Sequence, residues 1–336
     1  MNVFYQKKGS MSSRICLLGK YYLGCFIVIC ALVIGGLSAC HKETIDEDTS
    51  AFSEPGVYDV QIQVDTMKRW FKAIVPSGYD ASVKHPLLLA YHGGGLSMGF
   101  MYNNRKDLID RCEQENWVLV FPNGADFDDN RGDATWYAFH CCGEAGLYQA
   151  DDIGFTKRIV DTLKAELNID ERRVYAIGGS NGAMLVHKIA VELPDIFAAV
   201  AENQGTAGGK RDTLEPFLVA EPMQPIPFIL IHGRNDHKVQ FNGGWTASTD
   251  TKRYDLSFAE SVGIWATNNG CNLQPDTTVV QGLNGRVWIM DYNGCTAGAD
   301  VRAIVIENKG HGWPSLESAG YDGTNVSIDF LKNHSK

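Results

Sequence analysis

The 336-residue sequence holds no His-Glu-x-x-His, and Cys112, Cys141, Cys142, Cys271 and Cys295 show no zinc-ligand spacing, so neither a metal nor a cofactor is expected. It also lacks an excess of positive charge. Acidic residues outnumber basic ones 40 to 30, which argues against nucleic-acid partners and against a patch for anionic lipid. Internal repeats and low-complexity tracts are absent, and with 44% apolar and 21% charged residues the composition excludes a disordered, collagen-like or multi-span membrane protein. Length alone suggests about two domains of roughly 150 residues, but α/β folds commonly run to roughly 250 as one unit. No second boundary is visible in the sequence.

The first 39 residues differ from the rest. Lys7, Lys8, Arg14 and Lys20 carry all their charge, and Tyr22 to Ala39 carries none. That is the basic-then-apolar layout of a secretory signal. Its end, Leu37-Ser38-Ala39-Cys40, resembles the bacterial lipobox, in which the cysteine is acylated and becomes the new N-terminus. The competing reading is one transmembrane anchor, since roughly 18 apolar residues can span a bilayer. The abrupt change to polar, acidic sequence from His41 to Glu54 favours the lipobox. The expected organisation is therefore a lipoprotein signal peptide at 1–39, a tether at 40–56 and one domain at 57–336. An exported outer-membrane lipoprotein is expected, anchored through Cys40 on the periplasmic or cell-surface face. Five cysteines remain in its mature part, Cys112, Cys141, Cys142, Cys271 and Cys295. An oxidising compartment favours pairing, which leaves one thiol over.

Apolar, β-branched runs alternate with amphipathic ones along the rest of the chain. Val57 to Val64, Trp70 to Val75, Pro86 to Tyr91, Trp117 to Phe121, Val174 to Ile177, Phe197 to Ala201, Pro227 to Ile231 and Val301 to Ile306 read as strands. Asp151 to Leu167, Asn181 to Leu193 and Ser257 to Asn268 have helical periodicity. The alternation predicts an α/β fold with a mostly parallel central sheet and helices on both faces. One connection, Pro122 to Ala150, is longer than structureless loops usually are, and its aromatics and paired cysteines argue for order.

Gly178-Gly-Ser180-Asn-Gly182 has the Gly-x-Ser-x-Gly form of a nucleophile on a sharp strand-to-helix turn. Gly95-Leu-Ser97-Met-Gly99 has the same form, but only Ser180 lies between a strand and a helical run. A serine hydroxyl needs a base, and the base an orienting carboxylate. Among the nine histidines, His311 follows the last strong strand, where the order nucleophile, acid, base places it. Asp236 follows the buried strand ending at Ile231 and supplies the acid. His92-Gly93-Gly94-Gly95 permits backbone N–H groups to approach a developing oxyanion, and the N–H groups of Gly94 and Asn181 are assigned to it. Trp136 and Trp313 are candidate substrate contacts.

Together with Cys141-Cys142-Gly143, Asp151-Asp152-Ile-Gly-Phe155, Trp265, Asn269-Gly-Cys271 and Gly310-His-Gly-Trp-Pro314, these motifs resemble the polyhydroxybutyrate depolymerase and feruloyl esterase group, within carbohydrate esterase family one of the α/β-hydrolases. The resemblance runs from about Tyr58 to Lys332. It implies the α/β-hydrolase fold, the triad Ser180, Asp236 and His311, and a Cys271–Cys295 disulfide, with Cys112 then expected to pair with Cys141 or Cys142. It implies release of feruloyl or acetyl groups from an acylated plant polysaccharide, with polyhydroxyalkanoate the rival substrate. A catalytically silent glycan-binding lipoprotein would not need these elements in order. Asp151 and Asp152 match a family motif but read as helix-capping residues.

The anchor has a direct test. Metabolic labelling with palmitate should mark the full chain and not Cys40→Ala; equal labelling of the two would remove the lipobox reading.

Overall fold

The computed structural model describes residues 4–7, 52, 54–127, 133–246 and 252–336. Cys40 and most of the signal and tether lie outside them. Eleven strands make the main sheet among the described residues: β1 (Phe4–Lys7), β2 (Gly56–Val64), β3 (Met67–Val75), β4 (His85–Tyr91), β5 (Val118–Pro122), β6 (Ile169–Gly179), β7 (Ala199–Asn203), β10 (Phe228–Gly233), β13 (Asp276–Gly282), β14 (Gly285–Tyr292) and β15 (Val301–Ile306). Four short strands, β8 (Gly208–Lys210), β9 (Leu218–Val219), β11 (Gly244–Trp245) and β12 (Tyr254–Asp255), form a separate sheet. The helices are α1 (Met98–Asn104), α2 (Lys106–Glu115), α3 (Gly143–Leu147), α4 (Asp152–Glu166), α5 (Asn181–Glu192), α6 (Phe258–Asn268), α7 (Leu316–Ala319) and α8 (Gly323–Lys332).

The main sheet runs β1-β2-β3-β5-β4-β6-β7-β10-β15-β14-β13. Its six central strands, from β5 to β15, pair in parallel, and antiparallel strands flank them on both sides. This is the mostly parallel sheet that the alternation predicts, in the α/β-hydrolase arrangement that the family resemblance implies. Strand β4 shows why it is stable. Its residues are buried throughout, with Leu87, Leu89 and Tyr91 packed on the α4 and α5 side with Phe155, Ile159 and Leu185. Leu88 and Ala90 point the other way, onto Leu108 of α2 and Ile328 and Leu331 of α8. Each buried leucine of this kind contributes about 1.5–3 kcal/mol, so one strand ties both helical layers to the sheet.

The fold begins earlier than residue 57. Phe52 is buried and meets Tyr58 edge-on at 4.9 Å, and β2 starts at Gly56. Strand β1 pairs antiparallel with β2 from within the stretch read as a signal; without that stretch β2 is the edge of the sheet. The hairpin of β13 and β14 was not anticipated, because its exposed face has no apolar alternation to mark it.

Cysteine pairing differs from expectation at one position. Cys271 and Cys295 are bonded, and Cys141 is bonded to its neighbour Cys142 rather than either pairing with Cys112. Cys112 sits in α2 with its side chain in the core and its thiol free. Burial pushes that thiol up, far from the ionised form.

The long connection after β5 is ordered where it is described, by polar contacts at its two ends. Asp151 caps α4 by accepting from the Gly154 N–H at 2.7 Å. Asp152, expected to cap as well, instead forms a buried ion pair with Arg69 of β3 at 2.6 Å and accepts from the Tyr137 N–H at 2.7 Å. Arg69 also lies 4.2 Å over the Phe155 ring. Removing one partner of a buried pair strands the other's charge, which typically costs about 3–5 kcal/mol. Asp152→Ala should therefore lower unfolding stability in urea by that order, and a loss below about 1 kcal/mol would show that the pair is not holding the loop.

Candidate active site

Strand β6 ends in two glycines and passes into α5 through Ser180, whose backbone is held at φ 55° and ψ −120°. For a residue with a side chain that conformation is strained, by about 1–3 kcal/mol. The neighbours explain how it is reached. A Cβ on Gly178 would run into the carbonyl of Gly182, and one on Gly182 into the carbonyl of His92. Only glycine lets strand, turn and the His92 loop come this close. The rival Ser97 instead caps α1, accepting from the Phe100 N–H at 3.2 Å.

The turn lifts Ser180 to the end of the sheet, where three sequence-predicted residues meet. Ser180 Oγ lies 2.9 Å from His311 Nε2, and His311 Nδ1 lies 2.7 Å from Asp236 Oδ2. Asp236 follows β10, and its other oxygen accepts from the N–H groups of Lys238 and Val239 at 2.8 and 3.0 Å. Burial pushes the Asp236 carboxyl up, but the His311 hydrogen bond and charge and the Val239 N–H outweigh it, so the net direction is down. The carboxylate thus stays ionised and holds the imidazole with Nδ1–H towards it and Nε2 free to accept the Ser180 proton.

The pocket above Ser180 measures about 840 Å³ and is lined by Gly93, Gly94, Asn181, His311 and Trp313, among others. Gly94 and Asn181 face each other beside the nucleophile: a Cβ on Gly94 would stand 3.4 Å from that of Asn181. Trp313 closes the pocket over Gly179, donates to Thr324 Oγ1 at 3.0 Å and lies under the Arg105 guanidinium at 4.2 Å. Trp136 is a correction. It is fully buried, donating from Nε1 to the His92 carbonyl at 2.8 Å and meeting Tyr91 edge-on. A large ring with one N–H satisfies both needs inside the core, so Trp136 braces the glycine loop and touches no substrate.

A second role for Asn181 and one residue that sequence reasoning missed, Gln204, complete the frame. The Asn181 side chain clamps the Trp136 backbone, accepting from its N–H at 2.8 Å and donating to its carbonyl at 3.1 Å. Gln204, just past β7, donates to the Gly310 carbonyl at 2.7 Å and accepts from the Gly312 N–H, which fixes the chain on both sides of His311. The signal for Gln204 was the polar run Glu202-Asn-Gln204 at the end of a buried strand. The other strand-end histidines are structural: His92 Nε2 accepts from the Gly124 N–H at 2.9 Å, and His232 Nε2 donates to the Val239 carbonyl at 2.9 Å.

A profile of the prolyl oligopeptidase family matches residues 137–217, a stretch that holds Ser180 but ends before Asp236 and His311. Feruloyl esterase B of Piromyces equi is 26% identical over 267 residues, 77% of this chain and 44% of that protein. The chain thus spans less than half the length of that relative. An acetyl xylan esterase from Aspergillus awamori superposes with a TM-score of 0.54 at 14% identity, over 79% of this chain and 94% of that one. A ferulic acid esterase from Anaeromyces mucronatus, in complex with ferulic acid, superposes at 0.52 and 14% identity over 85% and 95%. These likenesses show the α/β-hydrolase fold.

One buried acid behind the site predicts a pH effect on stability. Glu202 accepts from the Gly205 N–H at 2.5 Å, and its Oε1 has no partner among the described residues. Burial pushes its carboxyl up to about 8 from an ordinary 4.5, the Asp236 charge adding to the shift. Between these values the folded state holds a proton that the unfolded state has lost. Rising pH therefore removes stability, by at most about 1.4 kcal/mol per unit. Buried His92 and His187, pushed down to about 4 and about 3, act in the opposite sense, so the readout is a difference. Thermal unfolding from pH 5 to 8 should show Glu202→Gln gaining steadily on the parent protein; parallel curves would mean that Glu202 ionises normally.

Proposed function

We propose that this α/β-hydrolase is a serine carboxylic-ester hydrolase that removes feruloyl or acetyl groups from a xylan-type plant polysaccharide through an acyl-enzyme. The observation that carries the reading is the unbroken relay Asp236–His311–Ser180, opening into a pocket beside Gly94 and Asn181. The esterase named among its relatives supports the substrate class.

The reaction follows from the geometry. Ser180 Oγ bonds to the ester carbonyl carbon while its proton passes to His311 Nε2, and the Asp236 carboxylate stabilises the imidazolium. The carbonyl oxygen becomes an oxyanion, to which the N–H groups of Gly94 and Asn181, two residues lining the pocket, are assigned; one such donor is typically worth about 3–4 kcal/mol of barrier. Collapse breaks the carbon–oxygen bond to the sugar, and the leaving alkoxide takes the proton from His311. Water then enters the same way, and its proton returns through His311 to Ser180 as the free acid departs.

The same reading places the enzyme at the outer membrane, tethered through a lipidated Cys40. What supports this is the Leu37-Ser38-Ala39-Cys40 sequence and the polar, acidic stretch that follows it.

Protein starting after Cys40 should release ferulate from methyl ferulate or acetate from acetylated xylan, and Ser180→Ala should lower kcat by roughly 10⁴-fold or more with the fold intact. Retention of more than about a tenth of the activity would remove Ser180 from its role. Turnover of a simple activated ester with release of neither product would move the substrate to polyhydroxyalkanoate.

A further inference from the structure

The turn that carries the catalytic base has little stiffness of its own. His311 stands between Gly310 and Gly312, and Gly312 takes a φ of 119°, a backbone conformation that side chains disfavour. Glycine on both sides leaves the chain freer here than other residues would, yet His311 Nε2 has to stay within hydrogen-bond reach of Ser180. Gln204 fastens the turn from the end of β7, through the Gly310 carbonyl and the Gly312 N–H. Neither bond involves the carbonyl of His311 itself.

Lys309 supplies that contact. Its side chain folds back over the two residues that follow it, and the ammonium donates to the Gly310 carbonyl at 3.0 Å and to the His311 carbonyl at 3.4 Å. A Cβ on Gly312 would stand 3.7 Å from Nζ, so the ammonium lies against the whole turn. The backbone of Lys309 is fixed in its own right. Its carbonyl accepts from the Asn235 N–H at 3.0 Å, one residue before Asp236, and a Cβ on Gly233 would run into that same carbonyl. The loop of the acid and the loop of the base are therefore joined at Lys309.

Fold stability does not account for a lysine in this place. Lys309 is only 7% exposed, and it forms no ion pair among the described residues. Burial pushes its ammonium down from the usual lysine range, with the Asp236 charge working against that shift. A buried cation without an ion pair costs stability, and an apolar side chain of similar length, such as methionine, would fill the space without that cost. What methionine lacks is a donor for two successive carbonyls. Lys309 also does not line the catalytic pocket, so its charge is not there to meet a substrate.

The geometry points to Lys309 as a positioning residue for His311: its ammonium locks the carbonyls of Gly310 and His311, so that the imidazole keeps one orientation between Asp236 and Ser180. The inference rests on the serine-esterase reading, in which His311 is the base, and it adds a residue that touches neither the substrate nor the reacting atoms.

Turnover and stability should part in Lys309→Met. Assayed on a simple activated ester, this variant should lose roughly tenfold or more in kcat, the scale on which small misplacements of a catalytic group are felt. Its KM should stay within about twofold of the parent's, because the binding surface is untouched. Thermal unfolding should stay in place or move up, since a buried charge has been removed. A residue that only held the fold together would give the reverse, a lower unfolding temperature with kcat kept. Lys309→Gln, which keeps a donor without the charge, should lose less kcat than the methionine variant. The positioning role is overturned by a Lys309→Met kcat within about twofold of the parent, by a KM that rises in step with the loss, or by an unfolding temperature that falls with it. A glutamine variant no faster than the methionine one overturns it as well. The two readings fail separately. An inactive Ser180→Ala beside a Lys309→Met as fast as the parent leaves the relay standing and removes the positioning role. Activity retained by Ser180→Ala removes the relay, and with it the base that Lys309 positions.

Discussion

The catalytic end of this protein depends on one strained turn. Ser180 keeps a positive φ because the glycines at 178 and 182 let β6, α5 and the His92 loop touch backbone to backbone. The strain of about 1–3 kcal/mol is borne by a sheet whose central strands are buried on both faces. Relaxing it would swing Oγ away from His311 Nε2, so the geometry of the site is a property of the core. The loop that supplies Gly94 is held by the same contacts, since His92, its neighbour, receives the Trp136 indole N–H and packs its carbonyl over Gly182.

Around that turn, the other parts of the site are fixed from behind by amide side chains. Asn181 holds the long loop through both polar groups of the Trp136 backbone, and Gln204 does the same for the chain around His311. Primary amides suit this task because each offers a donor and an acceptor without a charge to desolvate. Both stand at the carboxyl ends of central strands, Asn181 just after β6 and Gln204 just after β7. The loops are long, but each is pinned within a residue of the group that must not move.

The central strands and the triad were legible in the sequence because each leaves a local signature. Buried parallel strands read as continuous apolar runs, the nucleophile sits in a glycine-bounded strand-to-helix turn, and the acid and base follow in a fixed chain order. What was not legible depends on partners far along the chain. Trp136 looks the same in sequence whether it faces a substrate or the core, and only its indole bond to the His92 carbonyl decides. Asp152 resembles a cap until Arg69, from a strand 83 residues earlier, is placed beside it. The small sheet escaped notice because strands of two or three residues are too short to show a period.

Electrostatics divides the two carboxyls nearest the relay into opposite roles. Asp236 and Glu202 end adjacent regions of the same sheet edge, and each is screened from water. Asp236 receives two backbone N–H groups and the His311 ring, which together outweigh its burial. Glu202 receives one N–H, so burial wins and the proton stays. Pairs of titrating groups pushed apart by their surroundings mark where an assignment of roles has been made. With His92, His187 and His232 also held neutral by burial, the negative charge of Asp236 faces the imidazole without a competing charge from these groups. The relay's polarity therefore comes from where hydrogen-bond donors are supplied and where they are withheld, which is a consequence of the backbone path after β7 and β10.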